Sequence, residues 1–341
     1  MNPKRIFPIP TAASNEHKLV AAFAYGSGLI NQGDKVSTAD NSQLDLIFIV
    51  NDSKAWHEIN IKNNPDHYAK QMQFMKLNAF FERMTTYLPK ASIFYNTFVP
   101  ISNVSDIRNN HLKYGVIGLE KAIDDLNNWK YLYLAGRLHK PVVWIKKPVC
   151  KDLEDALKNN IVSALLYILL KPKYNKSPGE FPIQEVFYDI CSISYNGDWR
   201  VYFGEGPDKI KRIVSEERIP HFISLYQSAM SDHRLRGLID LSKDQKKMHF
   251  KAISDETLVV LFKALPTSII ELEEGKVMVE RFINKKIDRE HLAEVIRVNT
   301  ERVIFQSSRD QTAMALLTTQ PMKIFRYSFA KISKIFFSKF T

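Results

Sequence analysis

Ala22-Phe-Ala-Tyr-Gly-Ser-Gly-Leu-Ile-Asn-Gln-Gly33 and, after it, Leu44-Asp-Leu-Ile-Phe-Ile-Val50 carry the main signal of the chain's architecture. The first is an apolar strand that runs into a turn of small residues, Gly26-Ser27-Gly28, and then a short helix. The second surrounds one carboxylate with apolar side chains and is too apolar for a sheet that faces water, so the sheet is expected to be covered. Working outward, strands are expected at Val20–Tyr25, Leu44–Val50, Ser92–Val99, Lys113–Ile117 and Val142–Lys146. Amphipathic helical stretches, Asp66–Tyr87 and Leu119–Leu138, lie between them, the second stopped by Pro141. This is the alternation of an α/β domain with a mixed sheet.

Beyond Lys147 the pattern turns helical: Leu153–Leu170, ended by Lys171-Pro172, then a polar loop, Lys173–Gly179. Phe181–Tyr195 reads as a helix, followed by the turn Asn196-Gly197-Asp198 and an alternating strand, Trp199–Phe203, a pattern like a helix-turn-helix with a wing. From Ile210 onward the reading is mostly helical, punctuated at Pro220, Gly237, Pro266 and Gly275.

At 341 residues the chain exceeds what one compact core usually fills, and 45% apolar with 25% charged residues excludes a disordered or collagen-like chain. Cys150 and Cys191 form neither a CxxC pair nor a metal-spaced cluster, which argues against a disulfide framework or cysteine zinc site and for a reducing compartment. The 48 basic and 37 acidic residues leave a net charge of +11, which favours a polyanionic partner: nucleic acid, nucleotide or anionic lipid. The longest nearly uninterrupted apolar run, Ile161–Leu170, is roughly half of the ~20 residues a spanning helix needs. Met1–Pro10 has neither a secretory apolar region nor an Arg/Ser-rich helix, so a cytoplasmic protein is the default expectation.

Chemistry is expected first at Gly26-Ser27-Gly28, where small residues at a strand-to-helix junction let a phosphate approach backbone N–H groups and the Ser27 hydroxyl adds a donor. No GK[ST] follows, and Gly26, Gly28 and Gly33 miss the dinucleotide spacing, so neither familiar nucleotide loop is present. Taken alone the segment is a turn. Asp45 raises its value, because an aspartate in a buried strand requires a partner or a metal. A Gly-Ser turn followed by an aspartate opening an apolar strand resembles the nucleotidyltransferase superfamily, in which the turn holds a triphosphate and strand carboxylates bind magnesium. The usual second carboxylate two residues away is missing, since Gln43 and Ile47 stand there. Asp52, Asp34 or Asp40 must then complete the metal site; the alternative for Asp52 is a turn cap.

Tyr25-Gly-Ser-Gly, Leu44-Asp-Leu-Ile-Phe-Ile-Val, Trp56-His-Glu-Ile-Asn60, Asn64-Pro-Asp-His-Tyr68, Tyr95-Asn96, Lys113-Tyr-Gly-Val116, Leu132-Tyr-Leu-Ala-Gly-Arg-Leu-His-Lys-Pro141 and Ser194-Tyr-Asn-Gly-Asp-Trp-Arg200 occur as ordered blocks. Over about residues 20 to 340 they resemble the mitochondrial-type phosphatidate cytidylyltransferases, peripheral CDP-diacylglycerol synthases once described as translocator assembly and maintenance proteins. The resemblance implies magnesium-dependent transfer of a cytidylyl group from CTP to phosphatidic acid, giving CDP-diacylglycerol and pyrophosphate for phospholipid and cardiolipin synthesis. It implies a nucleotidyltransferase-like domain followed by a winged-helix-like domain; with the pattern above, the expected limits are 1–150 and 151–208, followed by a helical region packing on the core over 209–320. The enzyme would be peripheral on the inner face of a membrane, the matrix side of the inner mitochondrial membrane if organellar.

On this resemblance Asp45 and Asp52 hold the magnesium ion. Gly26, Ser27 and Gly28 hold the β- and γ-phosphates, and Lys113, Arg137 and Lys140 are candidates for the remaining anionic oxygens. Each cation has a plainer alternative, Lys113 as a solvated strand end and Arg137 and Lys140 as charges closing a helix. His57 and His67 could touch metal or nucleotide or be packing residues; since a phosphate nucleophile is already ionised, neither is assigned to proton transfer.

Residues 321–341 form a basic amphipathic stretch. Met322, Phe325, Phe329, Ile332, Phe336 and Phe340 recur at helical spacing, with Lys323, Arg326, Lys331, Lys334 and Lys339 among them and no acidic side chain after Asp310. Docking on an anionic membrane is expected, the alternative being a helix packed on the core. Two other functions remain open, a nucleotidyltransferase acting on RNA and a noncatalytic lipid-binding assembly factor; no nucleic acid is expected as a partner.

Overall fold

The computed structural model describes residues 18–26, 44–74, 76–100, 111–203, 208–271 and 288–319. The chain divides into two compact units. The first holds residues up to Ala122, Val142–Cys150 and the chain from Ser308; the second holds Ile123–Pro141 and Lys151–Ser307. These limits differ from boundaries at 150, 208 and 320.

In the first unit five strands, β1 (Leu19–Tyr25), β2 (Leu44–Val50), β3 (Phe94–Pro100), β4 (His111–Gly118) and β5 (Val143–Lys146), form one sheet in the order β3-β4-β2-β1-β5. The sheet is mixed: β2 and β4 run parallel, and every other pair is antiparallel. Every residue of β1 is buried, and in β2 only Asp45 is partly exposed. One face packs Leu46, Phe48, Trp56, Tyr114 and Val116 into a core. A second cluster joins Tyr68, Met72, Phe80 and Phe94 to Met314 of the helix Arg289–Thr318, where Asp310 accepts from the Lys90 N–H and Gln311 bridges both backbone groups of Ile93. Residues over 100 positions apart are thereby fixed to the sheet. The stretch Asp66–Tyr87 is not one helix: a 3-10 turn at Pro65–His67 precedes Lys70–Phe74 and Leu77–Tyr87, because Tyr68 leaves helical geometry with ψ 151.

Leu119–Leu138, most of which belongs to the second unit, is also broken, into helices ending at Asn128 and beginning at Leu134. Trp129 and Leu132 have φ of 52° and 49°, and the buried Asp125 carboxylate stabilises this turn by accepting four backbone N–H bonds. The helix Lys151–Leu169 follows, with β6 (Gly179–Pro182), the helices Ile183–Ser192 and Ile219–Met230, and the hairpin β7 (Ile239–Leu241) and β8 (Lys247–Phe250), in a sheet ordered β6-β8-β7. The strand expected at Trp199–Phe203 is a 3-10 helix. Its start is fixed locally: Asp198 is buried, accepts from the Arg200 N–H and binds the Arg200 guanidinium, and the Val201 N–H closes onto the Asp198 carbonyl. An antiparallel hairpin, β7–β8, lies inside the region read as helical.

Candidate active site

Asp45 is placed by two strand pairings. Antiparallel pairing sets it opposite Tyr25 at the end of β1, and parallel pairing sets it opposite Lys113 of β4. The Lys113 Nζ lies 3.9 Å from Asp45 Oδ1, with the two side chains 30% and 31% exposed, and 4.5 Å from the centre of the Tyr95 ring. Such a pair contributes little to stability; its consequence is a cation and a carboxylate held side by side in an open position. Gly26 continues directly from β1 with φ +123°, a conformation that strains any other residue, and a β-carbon built there would stand 4.0 Å from Asp45 Oδ2. The backbone of the small-residue turn therefore starts beside the carboxylate. Gly26, Asp45 and Lys113 thus share one sheet end, while Ser27, Gly28, Asp34 and Asp40 lie outside the described residues.

Asp52 is not part of this group. It caps the helix Ser53–Asn63, its Oδ1 accepting from the N–H groups of Lys54 at 2.8 Å and Ala55 at 3.1 Å. It follows the opposite end of β2, and the five strand steps from Asp45 to Val50 alone span roughly 16 Å, whereas magnesium needs ligand oxygens about 2.1 Å away. Sharing one ion between Asp45 and Asp52 is therefore excluded. Among the described residues no three His, Cys, Asp or Glu side chains gather as a metal site. One carboxylate beside the Gly26 turn nevertheless suits magnesium, which is commonly held by one or two carboxylates together with substrate phosphates.

His57 and His67 are found in a tyrosine network. His57 is buried, its Nδ1 2.8 Å from the Tyr68 hydroxyl, and Asn60 donates to both Tyr68 and Tyr114 at 2.8 Å. His67 Nδ1 meets the Tyr114 hydroxyl at 2.8 Å. Burial lowers the His57 pKa to about 3, so it is neutral and packs against Phe94, ring centroids 4.4 Å apart.

Arg137 and Lys140 belong to the second unit. The Asp125 turn fixes the segment before them; burial pushes the Asp125 pKa up, opposed by its four N–H donors. Gly136 lies against Ser194, with a built β-carbon only 2.3 Å from Ser194 Cβ. The close approach lets the buried Lys140 ammonium donate to the Gly136 carbonyl at 2.6 Å and to Ser194 Oγ at 2.7 Å. Beneath it, Asn160 accepts from Trp129 Nε1 at 2.9 Å and faces His139 Nε2 at 3.0 Å. Burial, with Lys140 beside it, lowers the His139 pKa to about 3. The contribution of Ser194, Tyr195 and Asp125 escaped the sequence reading, although the first two stand in a quoted block. The tail residues Lys323, Phe325, Arg326, Phe329, Lys331, Lys334 and Phe336 lie outside the described residues, and no helix among those described is long and apolar enough to cross a membrane.

The family model described as mitochondrial phosphatidate cytidylyltransferase matches residues 12–334. The mitochondrial phosphatidate cytidylyltransferase of Xenopus laevis is 31% identical over 92% of this chain and 90% of its own length. That of Drosophila melanogaster is 29% identical over 92% and 94%, and that of Homo sapiens 35% identical over 63% and 44%. A match of this extent, on a sheet that joins a glycine turn, a carboxylate and a lysine, means that the chain belongs to the mitochondrial phosphatidate cytidylyltransferase family.

Proposed function

We propose that this chain transfers the cytidylyl group of CTP to phosphatidate, forming CDP-diacylglycerol and pyrophosphate, a step towards phospholipids including cardiolipin. The observation that carries the reading is the convergence of Gly26, Asp45 and Lys113 at one sheet end in a chain of this family. A phosphate oxygen of phosphatidate attacks the α-phosphorus of CTP. The bond from that phosphorus to the bridging oxygen breaks, and pyrophosphate leaves with the electron pair. The attacking oxygen is already ionised at neutral pH, so no side chain has to remove a proton, and the neutral, buried His57 is left a packing role.

The barrier is the approach of two anions, and the side chains act by placing positive charge. Asp45 would hold magnesium together with the phosphates of CTP, and the ion would neutralise charge on the reacting phosphates. Gly26, with Ser27 and Gly28 after it, presents backbone N–H groups to the β- and γ-phosphates. Lys113, poised 3.9 Å from Asp45, turns to a phosphate oxygen when CTP enters.

The mixed sheet with its turn beside a strand carboxylate suits a nucleotidyltransferase-like domain. In the second unit the order helix, strand, helix, helix, hairpin, with strands β6-β8-β7, suits a winged-helix-like arrangement. The basic apolar segment 321–341 suits peripheral docking on an anionic membrane, the matrix face of the inner membrane in a mitochondrion. The protein is to be incubated with magnesium, radiolabelled CTP and phosphatidate vesicles, and the lipid extracted. Label in a CDP-lipid is expected; label remaining wholly in water-soluble nucleotide would reject the reading.

A further inference from the structure

We propose that the surroundings of Lys140 in the second unit form a binding site for a phosphomonoester, the chemistry of the phosphatidate headgroup. Lys140 is 9% exposed and forms no ion pair among the described residues; its polar partners are the neutral Gly136 carbonyl and Ser194 hydroxyl. In the ammonium form two of its three N–H donors are thus used, and one remains for an anionic oxygen, whose approach favours that form. Lys140 and Lys209 both lie over the Tyr195 ring, 4.9 and 5.2 Å from its centre. The Arg200 guanidinium is clamped by Asp198 and set over the Tyr133 ring at 5.5 Å.

The groups that act on the Lys140 charge are the Cys191 thiol and the cations Arg137, Lys209 and Arg200. Burial, followed by these cations and against Cys191, pulls the Lys140 pKa down to about 7. A fold that keeps an ammonium buried among other cations loses stability, and a bound dianion reverses that loss. The placement is also rigidly built: Asp125 fixes the preceding turn through four N–H bonds, and Gly136 admits no β-carbon beside Ser194. A helix that merely ended in surface charges would need none of this.

The identity of the ligand as a lipid rests on the cytidylyltransferase reading; the site itself does not. The test is calorimetric titration of the full chain with dihexanoyl phosphatidate, with inorganic phosphate and with magnesium–CTP, for the native protein and Lys140→Met. The variant is expected to bind the short-chain lipid roughly tenfold to a hundredfold more weakly, CTP within about twofold, and to melt no lower than the native protein without ligand. Lys209→Met provides the same comparison should Lys140→Met fail to fold. Phosphate that competes with the lipid, and does so less well in the variant, supports recognition of the phosphate group. Lipid affinity unchanged in both variants, or CTP affinity falling in parallel, overturns the proposal. Failure of the cytidylyltransferase reading is distinct: the labelled CDP-lipid would not form, whatever these titrations gave.

Discussion

Replacing Asp125 by asparagine leaves the shape of the side chain and removes its charge. In the native protein Oδ1 accepts from Tyr131 at 2.8 Å and Leu132 at 2.6 Å, and Oδ2 from Leu134 at 2.8 Å and Ala135 at 3.0 Å. An asparagine can serve only one of these pairs; its NH2 group must face the other two donors. Two bonds to a charged acceptor, at roughly 1.5 to 3 kcal/mol each, are lost. Relief of the buried charge, whose pKa burial pushes up, offsets part of that. A net cost of about 3 kcal/mol remains, and at 2–4 °C per kcal/mol for a unit of this size the Tm falls by roughly 6–12 °C. Thermal unfolding followed by circular dichroism measures it. A Tm within about 2 °C of the native value would refute the claim that Asp125 holds the positive-φ turn ahead of Arg137 and Lys140.

Gly136→Ala places a methyl group against Ser194 Cβ and should cost about 1–3 kcal/mol, while Ser194→Gly in the same chain recovers part of it; additive losses in urea unfolding would mean that the two do not collide. His57 and His139, with pKa values near 3 against 6.5 unfolded, bind protons only in the unfolded chain between those values. Stability therefore falls as pH drops below 6.5, the two together contributing about 2–3 kcal/mol between pH 7.5 and 5.5. Equal unfolding free energies at the two pH values would contradict their neutral burial.

The sheet was legible because its inner strands are nearly unbroken apolar runs: β2 was expected at Leu44–Val50 and is found there, and β1 and β5 differ by one residue. Where local pattern met a distant partner, the reading failed. Leu119–Leu138 carries helical periodicity throughout, and only the geometry of Asp125 with residues 131–135 divides it. Trp199–Phe203 alternates like a strand, but the Asp198 carboxylate bends it into a 3-10 turn. The β7–β8 strands are three and four residues long around a lysine-rich turn, too short to interrupt a helical reading. In the candidate site, Asp45 stood out as a carboxylate in an apolar strand. Its nearness to Lys113 depends on the parallel pairing of β2 with β4 across more than 60 residues of sequence, which no local pattern encodes. Asp52 was misplaced for the converse reason: an Asn-Asp pair after a strand is also what a helix cap requires, and the cap is what forms.

On the proposed function Asp45, beside Gly26 and Lys113, would hold the magnesium ion that neutralises the reacting phosphates. Turnover of labelled CTP into CDP-diacylglycerol by Asp45→Asn, on phosphatidate vesicles with saturating magnesium, tests it most directly, because the change removes the charge at nearly constant volume. The variant is expected to be folded and slower by about 10² to 10³ or more, the loss of several kcal/mol of transition-state stabilisation. Turnover at the native rate would contradict it.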